Sequence, residues 1–272
     1  MRNAMSTDAR RMHRDAGFTL VELSVAMVIA LFLLGGLFTL EQSTRNTSSE
    51  QTLLAQLQDN QRLAMTIMTD VIQAGGYFAD PTKNTSATLP SVSAALFPTP
   101  GIGIYGTTSA VAGQPDSIYV QYMSEGPATD NMIRCDGQQT PAVVGGVAYI
   151  NQFSVDPVKK QLLCTVSTNI ASAVVQLTNP PVVLVDGAVN KGVINGVENL
   201  QMLYGLATTG TNGNSVDTYM TAAQVTAANK WPEVSSVKVT LTFTNPLFGQ
   251  PGQTQPTVAF ERVIGIMSRS GD

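Results

Sequence analysis

Histidine is almost missing from this sequence. One imidazole occurs in 272 residues, His13, and it stands close to the N-terminus. The chain beyond it therefore lacks the base of a Ser–His or Cys–His nucleophile pair, and it lacks His-containing metal sites. Charge is also scarce, at 12% Asp, Glu, Lys and Arg. Eleven Lys and Arg follow Gly17 against an acidic excess, so a basic nucleic-acid surface is not expected. No Gly-rich phosphate loop is present: Gly101-Ile102-Gly103 lacks a third glycine and a preceding strand. Asp116, Asp130, Asp136 and Asp156 are available as acids, but no pattern links them into a catalytic set. The absences argue against an enzyme and against a bound cofactor or metal.

What is present begins at Gly17-Phe18-Thr19-Leu20-Val21-Glu22-Leu23, which leads into 18 uncharged residues from Leu23 to Leu40. About 20 apolar residues cross a bilayer. Glu22 is the exception in this run, the fifth residue counted from Phe18. A carboxylate at that depth costs roughly 2.5 kcal/mol or more, so it needs a partner. If the chain is cut after Gly17, the new α-amine of Phe18 lies at i, i+4 from Glu22, one helical turn away. A secretory signal peptide fits poorly, because its cleavage site should follow a 7–15-residue apolar stretch. Here the run is longer and is followed by Glu41-Gln42-Ser43-Thr44-Arg45.

This junction resembles the type IV prepilin signature: a short basic leader, Gly at the cut, Phe, then Glu. The resemblance implies that a prepilin peptidase cuts between Gly17 and Phe18 and methylates the Phe18 amine. It also implies that Glu22 serves charge pairing during assembly. The charges agree with that orientation. Arg2, Arg10, Arg11 and Arg14 against Asp8 and Asp15 give the leader +2, so the chain's −4 leaves −6 for the remainder. Basic residues before the span and an acidic bulk after it place the leader in the cytoplasm. The expected divisions are 1–17, a cytoplasmic leader that is removed; 18–75, an N-terminal helix with 18–40 transmembrane; and 76–272, a periplasmic β-rich domain.

With 43% hydrophobic residues the chain has material for one membrane helix and one buried domain. Beyond the span, Leu53, Leu57, Ala64, Met68 and Val71 form a helical stripe, broadened by Leu54, Met65 and Ile72. This reads as an amphipathic continuation that packs on the chain's own sheet. The polar stretch 41–51 is a place for fraying or a kink, and Gly75-Gly76 is a stop. From Tyr77 to Pro115 the prolines and glycines predict a long irregular connection. Ile118–Met123, Val143–Ile150, Gln161–Val166 and Pro181–Val185 read as strands. Val237, Val239, Leu241 and Phe243 alternate with polar residues, as a half-buried antiparallel strand does. Thr257–Met267 puts Val258, Phe260, Ile264 and Ile266 on one face, with Arg262 as its exception, and Tyr219–Lys230 predicts a short helix. Cys135 and Cys164, the two cysteines, read as a disulfide in a translocated domain; two free buried thiols are the alternative.

The C-terminal half narrows the resemblance. Gly196-Val197-Glu198-Asn199-Leu200-Gln201-Met202-Leu203-Tyr204-Gly205, Val216-Asp217-Thr218-Tyr219 and Trp231-Pro232-Glu233-Val234 resemble the PilW family of minor pilins. Gly75-Gly76-Tyr77-Phe78, Arg134-Cys135-Asp136-Gly137 and Leu162-Leu163-Cys164 fit the same family. The resemblance implies the type IV pilin fold, an α+β arrangement with a long N-terminal transmembrane and amphipathic helix packed on an antiparallel sheet domain. It implies a minor pilin that helps to prime pilus assembly, in surface attachment and twitching motility. The implied partners are the prepilin peptidase, other minor pilins, the major pilin, the inner-membrane assembly platform and the membrane, with no nucleic acid. The J-type minor pseudopilin of type II secretion and an adhesive or DNA-uptake pilin are the alternatives. Relatives often carry an acidic turn suggestive of calcium after the Tyr-Gly. Here Ala207–Asp217 holds one carboxylate, Asp217, too few for a hard-oxygen site, and reads as a polar turn.

The expected mature protein begins at a methylated Phe18. Intact mass of membrane-purified protein checks this, and a chain retaining residues 1–17 in cells with active prepilin peptidase refutes it.

Overall fold

The computed structural model describes residues 19–79, 89, 96–98, 100–111, 113–142, 146–170, 173–185, 189–190, 193–194, 196–206 and 216–269. Gly17 and Phe18 therefore lie outside the described residues, as does most of the 207–217 turn. The chain divides into two units, Met1–Gln51 and Thr52–Asp272. The helix α1, Leu20–Gln73, contributes its first part to one and its last part to the other.

In the first unit α1 has no tertiary partner among the described residues, and those from Leu20 to Leu40 are all exposed. The stretch 41–51, expected to fray or kink, is helical throughout. Arg45 pairs with Glu41 one turn away, and the Thr44 and Thr47 hydroxyls donate to the Leu40 and Ser43 carbonyls. Such back-bonding keeps short polar side chains inside a helix they otherwise disfavour.

In the second unit α1 buries the predicted stripe: Leu53, Leu57, Ala64, Met65, Met68, Val71 and Ile72. Leu54 is the correction, since it is exposed. It shares the angular position of the buried Ile72, five turns further on, so what exposes it is its place along the helix near the start of this unit rather than the face it occupies. Each fully buried side chain of this size is worth about 1.5–3 kcal/mol. This face therefore anchors the helix to the sheets.

The strands are β1 (Ile104–Thr107), β2 (Ser117–Ser124), β3 (Val147–Asp156), β4 (Gln161–Ile170), β5 (Ala173–Gln176) and β6 (Val182–Val185) in one antiparallel sheet. They run β1-β2-β3-β4-β5, with β6 also paired to β4. β7 (Val189–Asn190) and β8 (Val193–Ile194) form a small ribbon. β9 (Val197–Leu206), β10 (Thr218–Met220), β11 (Val234–Thr244) and β12 (Thr257–Gly265) make a second sheet in the order β10-β9-β11-β12. The expected strands are present, and β11 shows the predicted in–out alternation. On β12, Val258, Phe260 and Ile264 turn inward while Arg262 stays exposed.

Several expectations need correction. The connection from Tyr77 to Pro115 is not wholly irregular, because β1 forms within it on the edge of β2. β3 begins at Val147, after Gly146 with φ +76°, and both β3 and β4 run longer than predicted. The helix within Tyr219–Lys230 is α2, Ala222–Ala228, whereas Tyr219 belongs to β10. Thr221 and Gln224 form a capping box at its start, and Asn229 closes it with φ +55°.

Two features tie the layers together. Asp116, just before β2, accepts from the Met202 and Ser109 amides and donates its own N–H to Leu200 O. That stitches the first sheet to β9. At the β3–β4 turn, Lys160 Nζ lies 2.6 Å from Glu198 Oε1, which also accepts from Thr244 Oγ1 at 3.0 Å. Where α1 ends, Gly76 (φ +79°) donates to Gln121 O, and Gly103 O accepts from Gln121 N. Gly75 O accepts from Ser268 Oγ at 2.6 Å. A Cβ on Gly103 would overlap the Gly76 backbone. Gly101-Ile102-Gly103 is thus the seat of the helix end.

Cys135 and Cys164 form the disulfide, joining the loop after β2 to β4. Its removal opens a closed loop with a sequence separation of 29. The chain-entropy account assigns such a loop about 3.5 kcal/mol. Cys135→Ser paired with Cys164→Ser is therefore expected to lower the unfolding midpoint of the detergent-purified protein, and unreduced, denatured wild type should show no labelled thiol. Gly103→Ala is expected to cost about 1–3 kcal/mol, because backbone rather than a side chain would have to move. Gly265→Ala, with nothing near its Cβ, is the matched control and should leave the midpoint unchanged.

Candidate functional site

The N-terminal end of α1 concentrates the chemistry. Thr19 stands at the N-cap: its Oγ1 accepts from the Glu22 N–H at 3.3 Å, and its carbonyl accepts from Leu23 N at 3.1 Å. Glu22 is then the third helical residue, which places a carboxylate where the helix dipole favours negative charge. Thr19-Leu20-Val21-Glu22 is the sequence pattern of a capping box, a signal legible in the sequence that the charge argument for Glu22 passes over. Behind it the surface is uncharged and largely apolar as far as Leu40. Leu20, at 84% exposure, and Phe32, at 82%, show that this part of the helix has no partner among the described residues.

Polar groups inside the run are satisfied locally. Ser24 Oγ donates to Leu20 O at 2.8 Å, and Thr39 Oγ1 donates to Gly36 O at 2.8 Å. That is how a helix carries hydroxyls through hydrocarbon without exposing unbonded groups. Among the described residues α1 is the one helix long and apolar enough to cross a membrane.

The carboxylates weighed as a catalytic set stand apart, each engaged in a structural bond. Asp130 accepts from Ser124 Oγ at 2.6 Å and from the Glu125 amide. Asp136 takes a bidentate contact from Arg134. Asp156 accepts from the Val158 and Lys159 amides in the β3–β4 turn. Asp116 is held by the two amides described above; burial raises its pKa, and those hydrogen bonds temper the rise. Among the described residues no group of three or more His, Cys, Asp or Glu is placed to hold a metal ion. The chain's ionic groups chiefly fasten turns and loops.

The comparisons with known families match this division. Residues 159–261, from the β3–β4 turn into β12, match the family described as type IV pilus-assembly protein W. Residues 12–38 match the prokaryotic N-terminal methylation motif, which covers Gly17, Phe18, Glu22 and most of the apolar run. No curated protein and no solved structure matches the chain. A pilin-type methylation motif implies processing by a prepilin peptidase and assembly with other pilins, and it accords with anchoring by a single span. The two matches point to a structural subunit related to type IV pili. With the methylation motif over residues 12–38 and the assembly-protein-W match over residues 159–261, the chain is similar to PilW-family, prepilin-like proteins.

Proposed function

We propose that this protein is a minor pilin that is stored in the inner membrane and helps to prime type IV pilus assembly. The observation that carries this reading is an apolar helical surface, exposed from Leu20 to Leu40, with one carboxylate, Glu22, at its start. Residues 1–17 form the cytoplasmic leader, 18–75 the helix with 18–40 in the membrane, and 76–272 the periplasmic domain. The prepilin peptidase cuts between Gly17 and Phe18 and methylates the new amine. The mature chain then meets other minor pilins and the major pilin at the inner-membrane assembly platform and enters the fibre.

The physical logic is one of exchange. The helix buries the same apolar surface in lipid and among neighbouring pilin helices, so extraction changes net burial little. Glu22 makes the exchange selective. Near the cytoplasmic edge, water or the chain's own Phe18 amine satisfies the carboxylate. In a fibre it is enclosed by apolar helices, where a lone charge costs several kcal/mol and a matched pair does not. A helix inserted at the wrong height leaves charges unmatched, so the pair acts as a check on register.

Glu22→Ala should still be cut and still span the membrane, because losing a charge eases insertion. Its recovery of partner minor pilins at matched membrane levels should fall by about tenfold or more, the consequence of losing roughly 1.4 kcal/mol or more. Equal recovery with normal piliation removes the assembly role. A clean deletion should reduce surface pili and twitching while leaving the major subunit intact. Normal pili with failed export of secreted proteins would reassign the protein to the J-type pseudopilins.

A further inference from the structure

The domain carries a second surface that the helix exchange does not use. A groove of about 650 Å³ opens beside the end of α1, walled by Ile67, Val71, Ala74, Tyr77, Ile133 and Met267. Among its lining residues Ile133 is 55% exposed and Met267 64%. A concave apolar surface of this volume is in the range of ligand-sized sites.

The exposure of Ile133 is built in. Its carbonyl accepts from Tyr122 Oη at 3.3 Å, and it bridges to Gln139. On one side Met132 O accepts from Thr140 N; on the other Arg134 N donates to Gln138 O. Cys135 N donates to the buried Asn151 Oδ1 at 2.8 Å, and Cys135 is bonded to Cys164. The backbone is thus fixed on both sides of Ile133. A side chain held outward by this many bonds is pre-organised for contact, which lowers the ordering cost of binding.

Among the described residues, the groove has one uncompensated charge. Arg134, in the wall, is occupied by Asp136, at 2.8 Å. Asp70, on the exposed face of α1 and also in the wall, makes no ion pair or side-chain hydrogen bond among the described residues. An apolar cleft with a free carboxylate at its margin selects an occupant that is apolar in the middle and cationic beside it. Its volume takes several side chains rather than one.

We propose that this groove seats a segment of a partner pilin in which a large apolar side chain stands next to a lysine or arginine, the cation pairing with Asp70. The proposal deepens the assembly reading above and rests on it. It adds a contact made by the β-domain that is independent of the membrane helix and of Glu22. The helix supplies affinity that any pilin shares, and the groove supplies the choice of neighbour.

The test uses the full-length protein in the native membrane. A photoactivatable phenylalanine at Ile133 should give an adduct with another pilin, mapped by mass spectrometry to a peptide with Lys or Arg beside an apolar residue. The same probe at Val158, exposed on the distant β3–β4 turn, is the control. Asp70→Lys, a change at an exposed helical position, should lower the Ile133 adduct by about tenfold without altering the amount of protein in the membrane. A pilin adduct at Val158 with none at Ile133 overturns the groove and leaves the assembly reading standing. Adducts at both positions with proteins other than pilins overturn both. An Ile133 adduct to lipid or to the chain itself, no adduct above control, or an adduct indifferent to Asp70→Lys also overturns the groove.

Discussion

An exposed apolar helix must be covered, and most of what this protein is follows from that requirement. From Leu20 to Leu40 the side chains have no partner among the described residues, and lipid or other helices are the surroundings that suit them. Hydroxyls within the run bond back to the helix, and charge is kept out of it apart from Glu22. That carboxylate stands at the third helical position behind the Thr19 cap, where the free amides and the dipole already favour a negative group. Its position is compatible with a folded helix start as well as with a paired amine.

The same helix has a different character from Thr52 onward. Its buried face no longer needs lipid, because the sheets supply the apolar contact. The domain is held by a few strong fastenings rather than by many surface ion pairs. Asp116 and the Lys160–Glu198–Thr244 cluster join the two sheets, the disulfide holds the loop around Ile133, and the glycines at 75, 76 and 103 let the helix end rest on backbone. Exposed surface pairs such as Lys230–Glu233 and Lys238–Glu261 add little, because water screens them. A domain with few free charges packs beside a neighbour at low desolvation cost. It also makes the uncompensated Asp70 more informative.

Tyr204 shows how closely the layers meet. Its ring lies against Trp231 in an edge-on arrangement with centroids 4.8 Å apart, and Tyr105 lies tilted against Trp231 at the same distance. A Cβ on Gly106 would fall inside the Tyr204 phenol. Burial drives the pKa of that phenol far above its ordinary value, so it stays neutral. The tyrosine and tryptophan motifs that mark the family resemblance thus turn out to be the packing centre between β1, β9 and α2.

Much of the architecture was legible because its signals are local. The apolar run, the glycine stop, the Leu57–Ile72 stripe and the alternation of β11 each depend on neighbours in sequence, while the disulfide was legible because the chain has two cysteines. β9 was not legible as a strand. A register shift where Asn199 and Val197 face Thr242 and Phe243 breaks its alternation, and the half-buried Leu203 and buried Gly205 on the face opposite Met202 and Tyr204 blur what remains. β1 escaped notice because its few residues, one of them glycine, become a strand only on the edge of β2. The sequence by itself determined the membrane-type helix, its single carboxylate and the α+β class, since hydropathy and period are properties of the chain. Tertiary structure alone decided that Gly103 seats the helix end, that Asp116 joins the sheets, and that Ile133 and Asp70 face one groove. Those residues are far apart in sequence, and only folding sets the distances between them.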